Sequence, residues 1–188
     1  MLTTSQYITE SYIEKNDYFY KFDKWKNKQI NILLLIGSSG SGKTTLGKDI
    51  SKDTNADLYQ TDAIWMPIAK QYKKETGKKG WEWSDEELLE VDRRVIKEIR
   101  NIIKKNNKYI IIEGIHLLNL TNKEFKPHCV IIKNTPYWKT LYRALKRDYM
   151  KFLKKGIGRF IDHYLYIIKF NKNVIKQIEN IKRYLEKQ

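Results

Sequence analysis

A single cysteine, Cys129, occurs in 188 residues, which excludes an internal disulfide framework. Set within His128-Cys129-Val130-Ile131-Ile132, it reads as a small buried hydrophobe in a reducing compartment, and a catalytic thiol is not expected. The chain has no run of 18 apolar residues, and its start, MLTTSQYITESYIEKND, lacks the basic-then-apolar order of a signal peptide. Neither a membrane span nor a secretory leader is expected, and a cytoplasmic location is. Acidic residues are scarce: 22 Asp and Glu stand against 37 Lys and Arg, a net charge of +15. Such an excess favours polyanions, nucleic acid and nucleotides among them. It is equally what a chain rich in Lys, Ile and Asn throughout would carry on solvated faces. Charge alone selects neither reading.

What the chain does have is 41% hydrophobic residues, enough for one well-buried core with appendages. Four short apolar runs, Ile30 to Ile36, Asp57 to Gln60, Tyr109 to Glu113 and Cys129 to Lys133, suit strands covered on both faces of a parallel sheet. Helical patterns lie between them. One covers Thr44 to Lys52, and another, Ser84 to Asn106, opens with the capping box Ser84-x-x-Glu87. After the fourth strand, Pro136 opens a helix to about Lys155, Gly156-Ile157-Gly158 breaks it, and Phe160 to Lys187 resumes the apolar spacing.

This alternation predicts an α/β fold, a three-layer sandwich on a mostly parallel sheet of four or five strands, with N-terminal and C-terminal helical appendages. The expected divisions are an aromatic-rich appendage over 1–28, a core over 29–159 and a C-terminal helix over 160–188 packed on that core. Within the core, an insert is expected at about 65–83 and a lid at about 143–159.

Residues 37 to 44, Gly37-Ser38-Ser39-Gly40-Ser41-Gly42-Lys43-Thr44, fit G-x-x-x-x-G-K-[ST] directly after the first buried strand. Glycines there let backbone N–H groups curl round an anionic phosphate. Lys43 is expected to reach the β and γ oxygens, and the Thr44 hydroxyl to ligate Mg²⁺. A helix beginning near Lys43 turns its positive end to the same charge, so Thr45 joins the nucleotide-contacting set.

Three further positions separate transfer from other uses of such a loop. Asp62, just past the second strand in Tyr59-Gln60-Thr61-Asp62, can accept the proton of an attacking hydroxyl; the alternative is a helix or turn cap. Glu113-Gly114 ends the third strand, where the carboxylate can serve Mg²⁺ or the acceptor and the glycine allows close backbone approach. His116 nearby reads as a structural, hydrogen-bonded histidine. Arg143 and Arg147 share a helical face, with Arg159 beyond the Gly-x-Gly break. Together they form either a clamp on the transferring phosphoryl group or a solvated basic face.

Between Asp62 and the capped helix, Trp65, Tyr72, Trp81 and Trp83 interleave with lysines. They either stack an acceptor's base or sugar, or cover the sheet edge. From Ile30 to Arg159 the chain resembles the uridine kinase and phosphoribulokinase group of phosphate-loop kinases, and more broadly the nucleoside-monophosphate kinase superfamily. The resemblance rests on residues 37 to 44, Asp62, Glu113-Gly114 and Arg143 to Asp148. It implies ATP·Mg²⁺-dependent phosphorylation of a small acceptor, a nucleoside or nucleotide in first place, with Asp62 as base or hydroxyl orienter. The rival from another class is a nucleic-acid-associated NTPase or polynucleotide-end kinase, for which the +15 charge and the aromatic-lysine insert would serve a phosphate backbone.

Overall fold

The computed structural model describes residues 17–78, 80–105, 108–153 and 157–188, with the backbone alone for residues 81, 147–153, 157–167 and 169–171. Strand β2 (Ile32–Gly37) is buried throughout because parallel neighbours flank it on both sides. On one side lies β4 (Ile110–Glu113), with β3 (Asp57–Gln60) beyond it; on the other lies β5 (Cys129–Lys133). The remaining strand, β1 (Tyr18–Tyr20), pairs antiparallel with β5, Tyr18 opposite Ile132 and Tyr20 opposite Val130, giving the order β1-β5-β2-β4-β3.

Because side chains alternate across a strand, β2 serves two cores at once. Leu33 and Leu35 join Leu46 and Ile50 of helix α2 (Lys43–Thr54) and Trp25 of the short α1 (Phe22–Lys26). Leu34 and Ile36 face the opposite layer. There they meet Val95 and Ile99 of α4 (Asp85–Lys105) and Val174, Ile178 and Ile181 of α7 (Ile157–Glu186). The outcome is the expected three-layer sandwich. Helix α4 is capped as its sequence predicts: the Ser84 N–H donates to Glu87 Oε2 at 2.8 Å and the Glu87 N–H to Ser84 Oγ at 3.3 Å. Cys129 is fully buried, and burial pushes its thiol well above the ordinary range. No helix among the described residues is long and apolar enough to cross a membrane.

One expectation needs correction, and one pair of alternatives is decided for two of its residues. Residues 18–26 are built into the core and are more than a helical appendage. They supply the fifth strand, and Trp25, fully buried, stacks on Tyr109 at 4.3 Å between ring centroids. The remainder of the expected 1–28 unit, residues 1–16, lies outside the described residues. The region from Trp65 to Trp83 is chiefly helix, α3 (Thr61–Thr76), running through Pro67. Tyr72 and Trp83 meet edge to face at 5.3 Å and are buried with Ala69 and Val91 in a satellite core between α3 and α4. Rings sealed in this way cannot stack a ligand. The side chain of Trp81 lies outside the described residues.

Candidate active site

The β2-loop-α2 junction folds as the glycine pattern requires. Gly40 and Gly42 take positive φ, +80° and +88°, which β-carbon-bearing residues resist. Gly42 is the N-cap of α2, so the loop ends at the positive pole of a 12-residue helix. Ser38 and Ser41 are buried, joined by a Ser41 N–H to Ser38 carbonyl bond of 3.1 Å, while Thr45 is exposed. Lys43 Nζ donates to the Ser38 carbonyl at 3.3 Å, folding the cation back across the loop.

Beside the loop, the end of β4 carries Glu113, only 4% exposed, whose Oε1 accepts from the Thr44 hydroxyl at 3.0 Å. Burial raises the Glu113 carboxyl above its ordinary pKa. The Lys43 charge and the Thr44 hydroxyl pull it back, the nearby Asp62 charge adds to the rise, and the Gln60 amide opposes it. Lys43, Thr44 and Asp62 therefore all act on Glu113, at the carboxyl end of the central strands. Asp62 itself is exposed in the first turn of α3.

Gly114 explains how that turn is brought in. Its φ is +148°, and a Cβ there would lie 1.7 Å from Thr61 Oγ1 and 2.8 Å from Thr61 Cβ. Only a glycine lets Thr61, fully buried, press onto the β4 end and hold the adjoining Asp62 next to Glu113. Gly114→Ala is expected to lose about 2 kcal/mol of stability by overpacking and to displace Asp62. Denaturant titration reads the loss, and Thr61→Gly in the same chain should recover part of it.

Trp65, one helical turn beyond Asp62, is half-buried and lies parallel to the His116 ring, with centroids 6.2 Å apart and planes at 13°. The His116 Nδ1 lies 3.3 Å from Asp92 Oδ1, and Asp92 Oδ2 accepts from Asn119 Nδ2 at 3.2 Å. The imidazole is thus clamped as a structural group. Across the loop, helix α6 (Tyr137–Leu153) bears directly on the glycines. A Cβ at Gly40 would lie 2.6 Å from the Thr140 carbonyl, and Arg143 Nη1 donates to the Gly40 carbonyl at 3.4 Å. Arg143, though exposed, therefore lies beside the loop. The side chains of Arg147 and Arg159 lie outside the described residues, as does Gly156.

Sequence reading missed Gln60 and Thr61, although both adjoin Asp62, and Thr135, whose hydroxyl donates to the Ser41 carbonyl at 2.9 Å. Polar residues at or within two positions of a strand's carboxyl end are the signal that would have found all three. Three buried polar atoms here, Ser41 Oγ, Thr61 Oγ1 and Glu113 Oε2, have no hydrogen-bond partner among the described residues. Ser41 Oγ lies against Gly37 and Thr61 Oγ1 against Gly114, so each is packed at the end of a central strand.

Among the described residues no cluster of three His, Cys, Asp or Glu side chains forms a metal cage. The hard oxygens of Thr44 and Glu113 nonetheless suit Mg²⁺, which takes few protein ligands and completes its shell with phosphate and water.

Fold and loop together define an α/β protein of the phosphate-loop type. Among solved structures, the chain is similar to TT1252 from Thermus thermophilus: TM-score 0.54, 15% identity, 80% of this chain and 84% of that one. It is also similar to shikimate kinase from Acinetobacter baumannii in complex with shikimate: TM-score 0.46, 18% identity, 82% of this chain and 83% of that one. The first likeness bears on the fold alone, and the second is too distant to carry an argument. No family model matches the sequence, and no curated protein does.

A pH test of the site follows from Glu113. Its pKa is raised in the folded state, so the folded protein holds that proton more tightly than the unfolded chain. The cost is absent below the unfolded value, grows as pH rises towards the folded one, and is complete above it. Glu113→Gln is therefore expected to raise the melting temperature of the nucleotide-free protein at pH 7 and to leave it unchanged in acid. Each kcal/mol recovered is worth about 2–4 °C. Calorimetric melts across pH measure it.

Proposed function

We propose that this protein is an ATP·Mg²⁺-dependent phosphotransferase acting on a small hydroxyl- or phosphate-bearing acceptor, nucleosides and nucleotides first among them. The observation that carries the reading is the convergence of Lys43, Thr44, Asp62 and Glu113 beside a glycine loop that ends on a helix N-terminus. Main-chain N–H groups of residues 40 to 44 bind the phosphate tail, and Lys43 swings from the Ser38 carbonyl to its terminal oxygens. Thr44 and Glu113 would hold the metal, whose contribution when bound is to neutralise charge on the phosphate oxygens. Asp62 takes the acceptor's proton or aims its hydroxyl in line with the γ-phosphorus. Arg143, released from the Gly40 carbonyl, meets charge growing on the transferring group.

The test is ADP release with ATP·Mg²⁺ and a panel of nucleosides, nucleoside monophosphates, sugar phosphates and a 5′-hydroxyl oligonucleotide. Release that depends on one small-molecule acceptor is expected. Release with no member of the panel overturns the proposal, and release with the oligonucleotide alone replaces it by the polynucleotide-end reading.

A further inference from the structure

We infer that Asp17, at the entrance to β1, is a positioning residue for the phosphate loop, acting through residues 133–135 at the exit of β5. The inference rests on reading residues 37 to 44 as a nucleotide cradle. The Asp17 side chain is fully buried and accepts from Lys133 Nζ at 2.7 Å and from the Asn134 N–H at 2.8 Å. Lys133 is itself only 5% exposed. A buried ion pair gains little net stability, because desolvation of both partners offsets their attraction. Two charge-assisted bonds on one carboxylate do fix geometry, and here they fix the chain at 133 and 134.

The next residue is the grip on the loop. Thr135 and Ser41 are both buried, and the Thr135 hydroxyl holds the Ser41 carbonyl at 2.9 Å. In a trans peptide the carbonyl and the following N–H point in opposite directions. Tying the Ser41 oxygen towards Thr135 therefore turns the Gly42 N–H away from Thr135. A second contact runs in parallel. Gly37 is paired with Lys133 in the β2–β5 ladder, so the ends of the two strands do not shift independently. Asp17 thus sets where residues 133–135 stand, and they set how the loop presents its amides. The antiparallel edge strand becomes part of the nucleotide machinery by this route.

The experiment compares wild type, Asp17→Asn, Thr135→Val and their double variant in two readouts. One is amide hydrogen exchange at residues 40 to 44 without nucleotide, and the other is calorimetric affinity for Mg·ADP. Each single change is expected to speed loop exchange and weaken Mg·ADP by about tenfold, the worth of one buried hydrogen bond. The double variant should match the stronger single within about twofold, because the two residues act in series.

Ile181→Ala, in the opposite layer, is the control: it lowers stability without loosening the loop in the native state. If Asp17→Asn fails to fold, D17L/K133M replaces the pair by apolar side chains and is expected to loosen the loop equally. Exchange at 40 to 44 that responds to Asp17→Asn no more than to Ile181→Ala, or effects that multiply in the double variant, overturns the inference. Loop exchange that responds as expected while even wild type binds no Mg·ADP leaves the positioning role standing and refutes the nucleotide reading instead.

Discussion

Asp62→Asn is expected to lower kcat by about 10²–10⁴-fold while Mg·ATP affinity stays within about twofold of wild type, the range for removal of a positioned general base. Asparagine keeps the size of the side chain and one carbonyl oxygen, so a hydroxyl can still be oriented by it but cannot lose its proton to it. The helix start is unaffected: Asp62 is exposed, and the residue that anchors the turn is its neighbour Thr61 on Gly114. Electrostatics adds a second signature. The Asp62 charge helps to raise Glu113, so the neutral variant should ease ionisation of Glu113 and shift the acid limb of the kcat profile downward in pH. Steady-state kinetics over pH, with nucleotide affinity measured separately, reads both. Unchanged kcat with a tenfold loss of nucleotide affinity would move Asp62 from the acceptor to the metal side of the reaction.

The parts of the site that could be read in advance are those encoded locally. Strand β2, the loop and the start of α2 are contiguous, and the glycines sit where positive φ is needed, so spacing alone locates residues 37 to 44. Glu113-Gly114 was legible because a charged residue and a glycine end an apolar run. The reason the glycine is required, contact with Thr61, depends on β3 and β4 lying side by side and leaves no local trace.

Strand β1 was illegible for a different reason: three residues are too few to show a period of two, and their aromatic character suits many environments. The bond from Lys133 to Asp17 spans 116 positions and became visible only once the edge strand was in place. Tyr72 and Trp83 show an alternative that only packing decides. Aromatic residues among lysines suit a ligand platform or a cover alike, and here Lys70, Lys73 and Lys74 are exposed while the two rings build a small core of their own.

Lys43→Ala should reduce phosphoryl transfer by about 10²–10³-fold or more, because in the proposed reaction it removes the cation that meets the terminal phosphate oxygens. The fold is expected to survive. Lys43 opens α2, alanine is at least as good a helix former, and the bond given up, to the Ser38 carbonyl, is long at 3.3 Å. The informative consequence lies in Glu113, since the Lys43 charge is the largest influence holding that buried carboxyl down. Without it the folded-state pKa rises further, the charged form is less compensated, and the variant loses stability mainly as pH rises past the ordinary carboxylate value. In acid, where Glu113 is protonated in both folded and unfolded chains, Lys43→Ala and wild type should melt alike. Adding Glu113→Gln should abolish the pH-dependent part of the loss, giving a clear non-additive cycle between the two positions. Additive melts across pH would mean that Lys43 and Glu113 do not share a field, and the shared site built on that coupling would have to be abandoned.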